Sequence, residues 1–173
     1  MTREEKLRTV KYAVYAAVML LAFVLCSARG ITPQLWGARM NPLPFLLCII
    51  ALYDGPYVGA GFGLFAGMLI SLHTLTAEGL ASLYLGLFGL AFGLVATIWL
   101  RPILPNALLG GLLCIALQGF GRYLFYQGLV FGVSMRQSAL QVAGEILLAL
   151  IPGLLLCLLI KKIHLKFEEV LDR

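Results

Sequence analysis

Glycine recurs at every fourth position along one apolar stretch of this chain, at Gly55, Gly59, Gly63 and Gly67. Residues four apart lie on the same face of an α-helix, so these glycines form a stripe that carries no side chains. Such a stripe weakens a helix in water, whereas in a bilayer it lets a second helix approach very closely. The pattern predicts a tightly packed membrane helix, whose partner is either another helix of the same chain or a different protein.

The composition predicts an integral membrane protein. Of the 173 residues, 61% are hydrophobic and only 12% are charged, and a soluble domain of this size cannot bury so much apolar surface. The net charge of +5 does not indicate nucleic-acid binding, because the basic residues cluster beside apolar runs at both ends of the chain, where they would meet lipid headgroups. We therefore expect a single transmembrane domain over residues 1–173 and an uncleaved first helix.

Six apolar runs predict an all-α, polytopic bundle of about six transmembrane helices. The expected spans are residues 12–28, 43–53, 56–72, 79–100, 107–126 and 138–160. Pro42 precedes the second run, and Asp54 and Pro56 form a helix-breaking turn after it. Because a span needs about 20 residues, this short run is either a strongly tilted span or a re-entrant segment.

The distribution of positive charge predicts that both termini are cytoplasmic. With six spans the two tails share one side, which then carries nine basic residues: Arg3, Lys6, Arg8, Lys11, Arg101, Lys161, Lys162, Lys166 and Arg173. The other side carries three: Arg29, Arg39 and Arg136. This bias follows the positive-inside rule. We expect residues 1–11 to form a basic tail, and residues 161–173 to form either an amphipathic helix on the lipid surface or a solvated end.

Two charged residues fall inside predicted spans, Arg122 in the fifth and Glu145 in the sixth. They lie at similar depths below the same ends of consecutive antiparallel helices, and an unpaired charge at such a depth is costly. One hypothesis is an intramembrane ion pair between them. In the alternative, Arg122 extends to the interface and Glu145 faces a polar cavity or is protonated.

No catalytic, cofactor-binding or metal-binding pattern is found in the sequence. The four cysteines lie in or beside apolar runs without CxxC spacing, which is typical of buried thiols. His73 and Glu78 stand five residues apart across an expected turn and do not provide a tetrahedral site. Asp54 has no second aspartate of the kind that an intramembrane protease requires. We expect a protein that is not an enzyme.

The segment NPLPFLLCIIALYDGPYVGAGFGLFAGMLISL, residues 41–72, resembles the bacterial rod shape-determining MreD family. Pro42 matches the proline before the second helix of that family, and the four glycines match its glycine helix. The run LRPILPNALLGGLLCIALQGFGRYLFY is similar to the charged turn and fifth helix of the family. Ser71 stands where the family often has aspartate, so a role tied to that carboxylate is not carried over.

The resemblance implies a non-enzymatic scaffold of the cell-elongation machinery in the bacterial cytoplasmic membrane. Its partners would be an MreC-type protein and the cell-wall synthases of the rod system, together with membrane lipids, and it would act on rod shape and peptidoglycan synthesis. The glycine face would bind transmembrane helices of a partner.

An alternative is the substrate-binding subunit of an energy-coupling-factor vitamin transporter, whose six-helix architecture has a similar size. Its first helix often carries an A-x-x-x-A motif, which Ala13 and Ala17 match. Polar residues for an outward cavity would come from Gln118, Arg122, Gln137, Gln141 and Glu145.

Overall fold

The computed structural model describes residues 3–27, 38, 40–73, 80–124, 132 and 134–171. These residues form six α-helices: α1 (Arg3–Ser27), α2 (Leu43–Asp54), α3 (Pro56–His73), α4 (Leu80–Trp99), α5 (Leu104–Arg122) and α6 (Met135–Leu171). Four of them, namely α1, α4, α5 and α6, are long and apolar enough to cross a membrane. The protein is therefore a multi-pass helical membrane protein.

The short helix α2 forms the centre of the bundle. All ten residues from Leu43 to Leu52 are buried, and the other helices pack around them. At its start, the ring of Phe45 lies against Gly111 of α5 and Gly153 of α6. These glycines lie well inside their own helices, so α2 begins within the bundle rather than at its edge.

The helix α2 is too short to cross a bilayer by itself. A helix of this length spans roughly 18 Å, against about 30 Å for the hydrocarbon core. Because protein surrounds α2, its length does not have to match the bilayer. Just before it, Pro42 is fully buried, and the side-chain oxygen of the half-buried Asn41 accepts a hydrogen bond from the Leu43 backbone N–H at 3.3 Å. Irregular backbone at membrane depth is tolerated only in such surroundings.

The glycine stripe of α3 packs against α4 inside the same chain. A Cβ atom added at Gly59, Gly63 or Gly67 would lie within 3 Å of backbone atoms of α4, at Gly89, Leu85 and Ser82 respectively. The two backbones are in direct contact along the stripe, as expected for small residues at a helix interface. The face is therefore occupied by α4 and is not open to a partner protein.

Gly55 does not belong to this stripe. It lies between α2 and α3 with φ at 90°, a backbone conformation that glycine adopts without strain. Its N–H donates to the carbonyl of Ala51, and its own carbonyl accepts from the N–H of Gly59. Gly55 therefore forms the turn that the sequence assigned to Asp54 and Pro56, while Asp54 is the last residue of α2 and Pro56 the first of α3.

The two expected tails are parts of long helices. The first helix begins at Arg3, and Lys11 within it is buried. The last helix continues without a break for 37 residues from Met135 to Leu171, with Ile160 and His164 buried and Ile163 packed against the core. Residues 161–171 thus continue α6, and Ile163 and His164 turn inward, whereas the amphipathic or solvated character expected for residues 161–173 stays a prediction.

Candidate functional site: two charge clusters at the ends of the bundle

A buried polar cluster joins three helices at one end of the bundle, which we call the proximal end. Lys11 comes from α1, Asp54 from the last position of α2, and His164 from α6. Their side chains are 10%, 7% and 6% exposed. Tyr53 also places the proximal end of α2 beside the α4–α5 connection, since its hydroxyl donates to the Pro102 carbonyl at 3.3 Å.

Asp54 is the centre of the proximal cluster. Its Oδ1 accepts a short hydrogen bond from the Lys11 ammonium group, and its Oδ2 lies 3.7 Å from Nδ1 of His164. Oδ2 is buried and has no hydrogen-bond partner among the described atoms. A buried carboxylate needs such compensation, because its transfer out of water is unfavourable without a nearby positive charge.

His164 is surrounded by oxygen atoms on both sides of its ring. Nε2 lies 3.1 Å from Glu168 one helical turn further along α6, and Nδ1 lies 3.4 Å from the Tyr15 hydroxyl of α1. The ring of Tyr53 lies against the imidazole at 4.5 Å between centroids. Each ring nitrogen therefore lies close to an oxygen atom, Nδ1 to that of Tyr15 and Nε2 to that of Glu168. The cluster thereby connects α1 and α2 to α6.

Arg122 and Glu145 form a second cluster at the opposite, distal end. One guanidinium nitrogen of Arg122 donates to both carboxylate oxygens of Glu145, each at 2.8 Å. The carboxylate is mostly buried, with 15% of its side chain exposed, while the arginine is 42% exposed. The structure thus brings together the two charged residues that the sequence placed inside spans, and it joins α5 to α6.

The two clusters are widely separated along the bundle. His164 and Glu145 are on the same helix, and at 1.5 Å per residue they are roughly 28 Å apart along its axis. This distance is close to the hydrocarbon thickness of about 30 Å. The two clusters therefore lie near opposite ends of the bundle, about one hydrocarbon thickness apart.

Other predicted residues have structural positions without a ligand-binding arrangement. Cys48, Cys114 and Cys157 are buried free thiols and Cys26 is half-buried. His73 ends α3, while its side chain and Glu78 lie outside the described residues. Within the described parts of the chain, no group of three or more His, Cys, Asp or Glu side chains has the arrangement of a metal site.

The sequence analysis missed the proximal cluster, although a signal for it was present. The sequence pattern assigns Asp54 to a turn and Lys11 to the basic tail of residues 1–11. An acidic residue at the end of an apolar run requires a partner, and the even-numbered topology placed Lys11 and His164 at the same end.

Comparison with protein-family models, curated proteins and solved structures finds no match to this chain.

Proposed function

We propose that this protein is a non-enzymatic scaffold of the bacterial cell-elongation machinery, acting on rod shape and peptidoglycan synthesis through contacts with partner membrane proteins. The assignment to that machinery rests on the resemblance of residues 41–72 to the MreD family. One structural observation supports a scaffold: the charged groups inside the bundle bind one another across helix interfaces, as Lys11 does with Asp54 and Arg122 with Glu145.

This use of charge favours a scaffold over a vitamin-binding transporter subunit. A binder of polar small molecules offers several polar groups that converge on a cavity. Here Arg122 and Glu145, the strongest candidates for such groups, are bound to each other at 2.8 Å. Their interaction fixes α5 against α6 and leaves the outward helix faces, which are apolar, as the surface for partners.

The partner contacts that we propose do not involve the glycine face of α3, because α4 occupies it. An MreC-type protein and cell-wall synthases would instead contact outward faces of the bundle through helix–helix packing. In this proposal all six helices belong to the membrane domain, with the proximal end in the cytoplasm. Lys6, Arg101 and Lys166 are exposed at that end, in agreement with the positive-inside rule.

The test is affinity purification of the tagged full chain from its native membranes in a mild detergent, followed by mass spectrometry. The expected result is recovery of an MreC-type protein and cell-wall synthases above the level obtained with an unrelated, equally tagged multi-pass protein. Recovery of transporter ATPases and a coupling subunit would overturn the proposal in favour of the transporter alternative.

Depletion of the protein provides a second readout. Rod-shaped host cells should become round as the protein is lost, and the wild-type gene supplied in trans should restore them. Cells that keep their shape and their pattern of peptidoglycan incorporation after complete depletion would contradict the proposed role in elongation.

A further inference from the structure

An apolar groove of about 340 Å³ runs between α4 and α5. Phe88, Phe92 and Val95 form its wall on α4, and Leu109, Gly110 and Leu113 form its wall on α5. The ring of Phe92 lies directly over Gly110, where an added Cβ would meet it at 2.4 Å. The neighbouring Phe88 ring stacks on Phe92 at 6.1 Å between centroids. The groove is therefore a shaped aromatic and aliphatic surface within a membrane protein.

The two ends of the groove differ. Just beyond Phe88 and Leu113 the two helices are joined by a hydrogen bond from the Tyr84 hydroxyl to the Cys114 carbonyl, at 3.3 Å. At the proximal end the groove reaches Leu100 and Asn106 at the connection between the helices. The lining residues on this side run from Phe88 to Leu100, which at 1.5 Å per residue is roughly 18 Å. The groove therefore begins at the proximal end of the bundle and stops short of the distal end of α4.

The length of the groove indicates which kind of molecule it can hold. Half of a hydrocarbon core of about 30 Å is the depth of one leaflet, so the groove accommodates an acyl chain of that leaflet. A transmembrane helix of a partner would need a groove along the whole bundle, and the Tyr84–Cys114 contact blocks its continuation. An acyl chain also satisfies the nearly uninterrupted apolar lining.

The chemistry at the open end selects the headgroup. Arg101 is exposed directly beside this end, and its backbone carbonyl accepts a hydrogen bond from the Asn106 side chain at 2.9 Å. In the described part of the chain no carboxylate forms an ion pair with Arg101. A guanidinium group at headgroup level attracts an anionic phosphate.

We propose that the groove between α4 and α5 binds one acyl chain of an anionic phospholipid from the proximal leaflet, with the lipid phosphate at Arg101. The proposal does not depend on the cell-elongation function, because it follows from the groove and its charged end alone.

Native mass spectrometry of the full chain in detergent tests this, with phosphatidylglycerol and phosphatidylcholine of identical acyl chains as probes. The expected result is one tightly bound phosphatidylglycerol and at least fivefold weaker binding of phosphatidylcholine. Arg101→Gln should weaken phosphatidylglycerol binding about fivefold, as expected for the loss of one basic residue at the surface. The matched control is Lys162→Gln. Lys162 is an exposed basic residue of α6 at the proximal end, and its substitution should leave phosphatidylglycerol binding unchanged.

A second pair of variants tests the groove itself. Ala91→Trp and, separately, Leu109→Trp fill it and should abolish the tight lipid, whereas Ala17→Trp on the exposed face of α1 should not. Only variants with the thermal stability of the wild-type protein are compared. If one of the two groove variants misfolds, the other is used in its place. Equal binding of the two lipids, or unchanged binding in a folded groove variant, would overturn the proposal. A groove variant that lost a co-purifying protein but kept its lipid binding would also overturn the proposal, because the groove would then hold a partner protein.

Discussion

Asp54 has its two carboxylate oxygens directed at two different helices, Oδ1 at Lys11 of α1 and Oδ2 at His164 of α6. Asp54 therefore connects α2 to both α1 and α6, and its contribution to stability depends on the presence of both neighbours. Arg122 and Glu145 connect only two helices, and the arginine is partly solvated. We therefore expect a single substitution in the proximal cluster to lower the stability of the protein more than one in the distal cluster.

The substitution Asp54→Asn should destabilise the protein by about 3 kcal/mol, because it leaves the Lys11 ammonium buried without a counter-ion. Thermal unfolding in a mild detergent measures the change. The double variant Lys11→Met/Asp54→Leu should recover much of the loss, since it removes both charges together. The matched control is Lys6→Met, an exposed position on the same helix, which should have little effect. A stable Asp54→Asn variant would show that the cluster is not structurally important.

A double-mutant cycle with Arg122→Gln and Glu145→Gln should give a coupling free energy of about 1 kcal/mol. The value is smaller than at Asp54 because solvent screens the partly exposed arginine. The charge swap Arg122→Glu/Glu145→Arg should restore most of the stability lost in either single reversal. Additive single effects and a swap without recovery would mean that the two side chains do not stabilise each other.

At the scale of helices, α3 and α4 form the tightest unit of the fold, because glycines allow their backbones to touch. Gly63 of α3 faces the Leu85 carbonyl, and Gly89 of α4 faces the Gly59 carbonyl. The contact is reciprocal, with glycines of each helix accommodating the backbone of the other. It also holds α3, which is short for a membrane span, against a helix of full length.

Two glycines on the same helix allow a controlled test of this contact. Gly63→Ala should destabilise the bundle by about 2 kcal/mol, because its Cβ would lie 2.3 Å from the Leu85 carbonyl oxygen. Gly61→Ala should be neutral or stabilising by up to about 1 kcal/mol, since a Cβ there meets nothing within 4 Å and alanine is the better helix former. Retention of monodisperse protein after heating measures both. Equal losses in the two variants would contradict the proposed contact.

The helices themselves were largely predictable, because long apolar runs bounded by proline, glycine and charge have few alternatives in a membrane. The predicted second and third spans begin at Leu43 and Pro56, where α2 and α3 begin. The continuation of α6 was missed because Lys161 and Lys162 signal an interface, which ends a hydrophobic run without ending a helix. The Tyr15–His164 contact joins residues 149 positions apart, and local pattern carries no information about such a pairing.

At the scale of the molecule, the buried α2 and the two charge clusters define how the helices are arranged relative to one another. The start of α1, the end of α2 and the end of α6 meet at the proximal cluster. The α4–α5 connection lies there too, through the Tyr53–Pro102 hydrogen bond. The first part of α1 and the last part of α6 therefore lie at the same end of the bundle, even though α2 begins inside it. In the orientation proposed above, this end faces the cytoplasm.

Cysteine accessibility measures this orientation directly. Cys26 is replaced by serine, and the three other native cysteines are buried and protected from reagents. Single cysteines are then introduced at exposed positions as Lys6→Cys, Arg101→Cys and Lys166→Cys at the proximal end, and as Arg136→Cys near the start of α6. A membrane-impermeant maleimide added to intact spheroplasts should label only the Arg136→Cys variant, and the other three should react after permeabilisation. Because a helix that failed to cross would separate the termini, labelling of Lys6→Cys and Lys166→Cys from opposite sides would contradict the arrangement. Labelling of both variants from outside would mean that the same bundle has the opposite orientation. The proximal end, with Arg101 and the other basic residues, would then not face the cytoplasm.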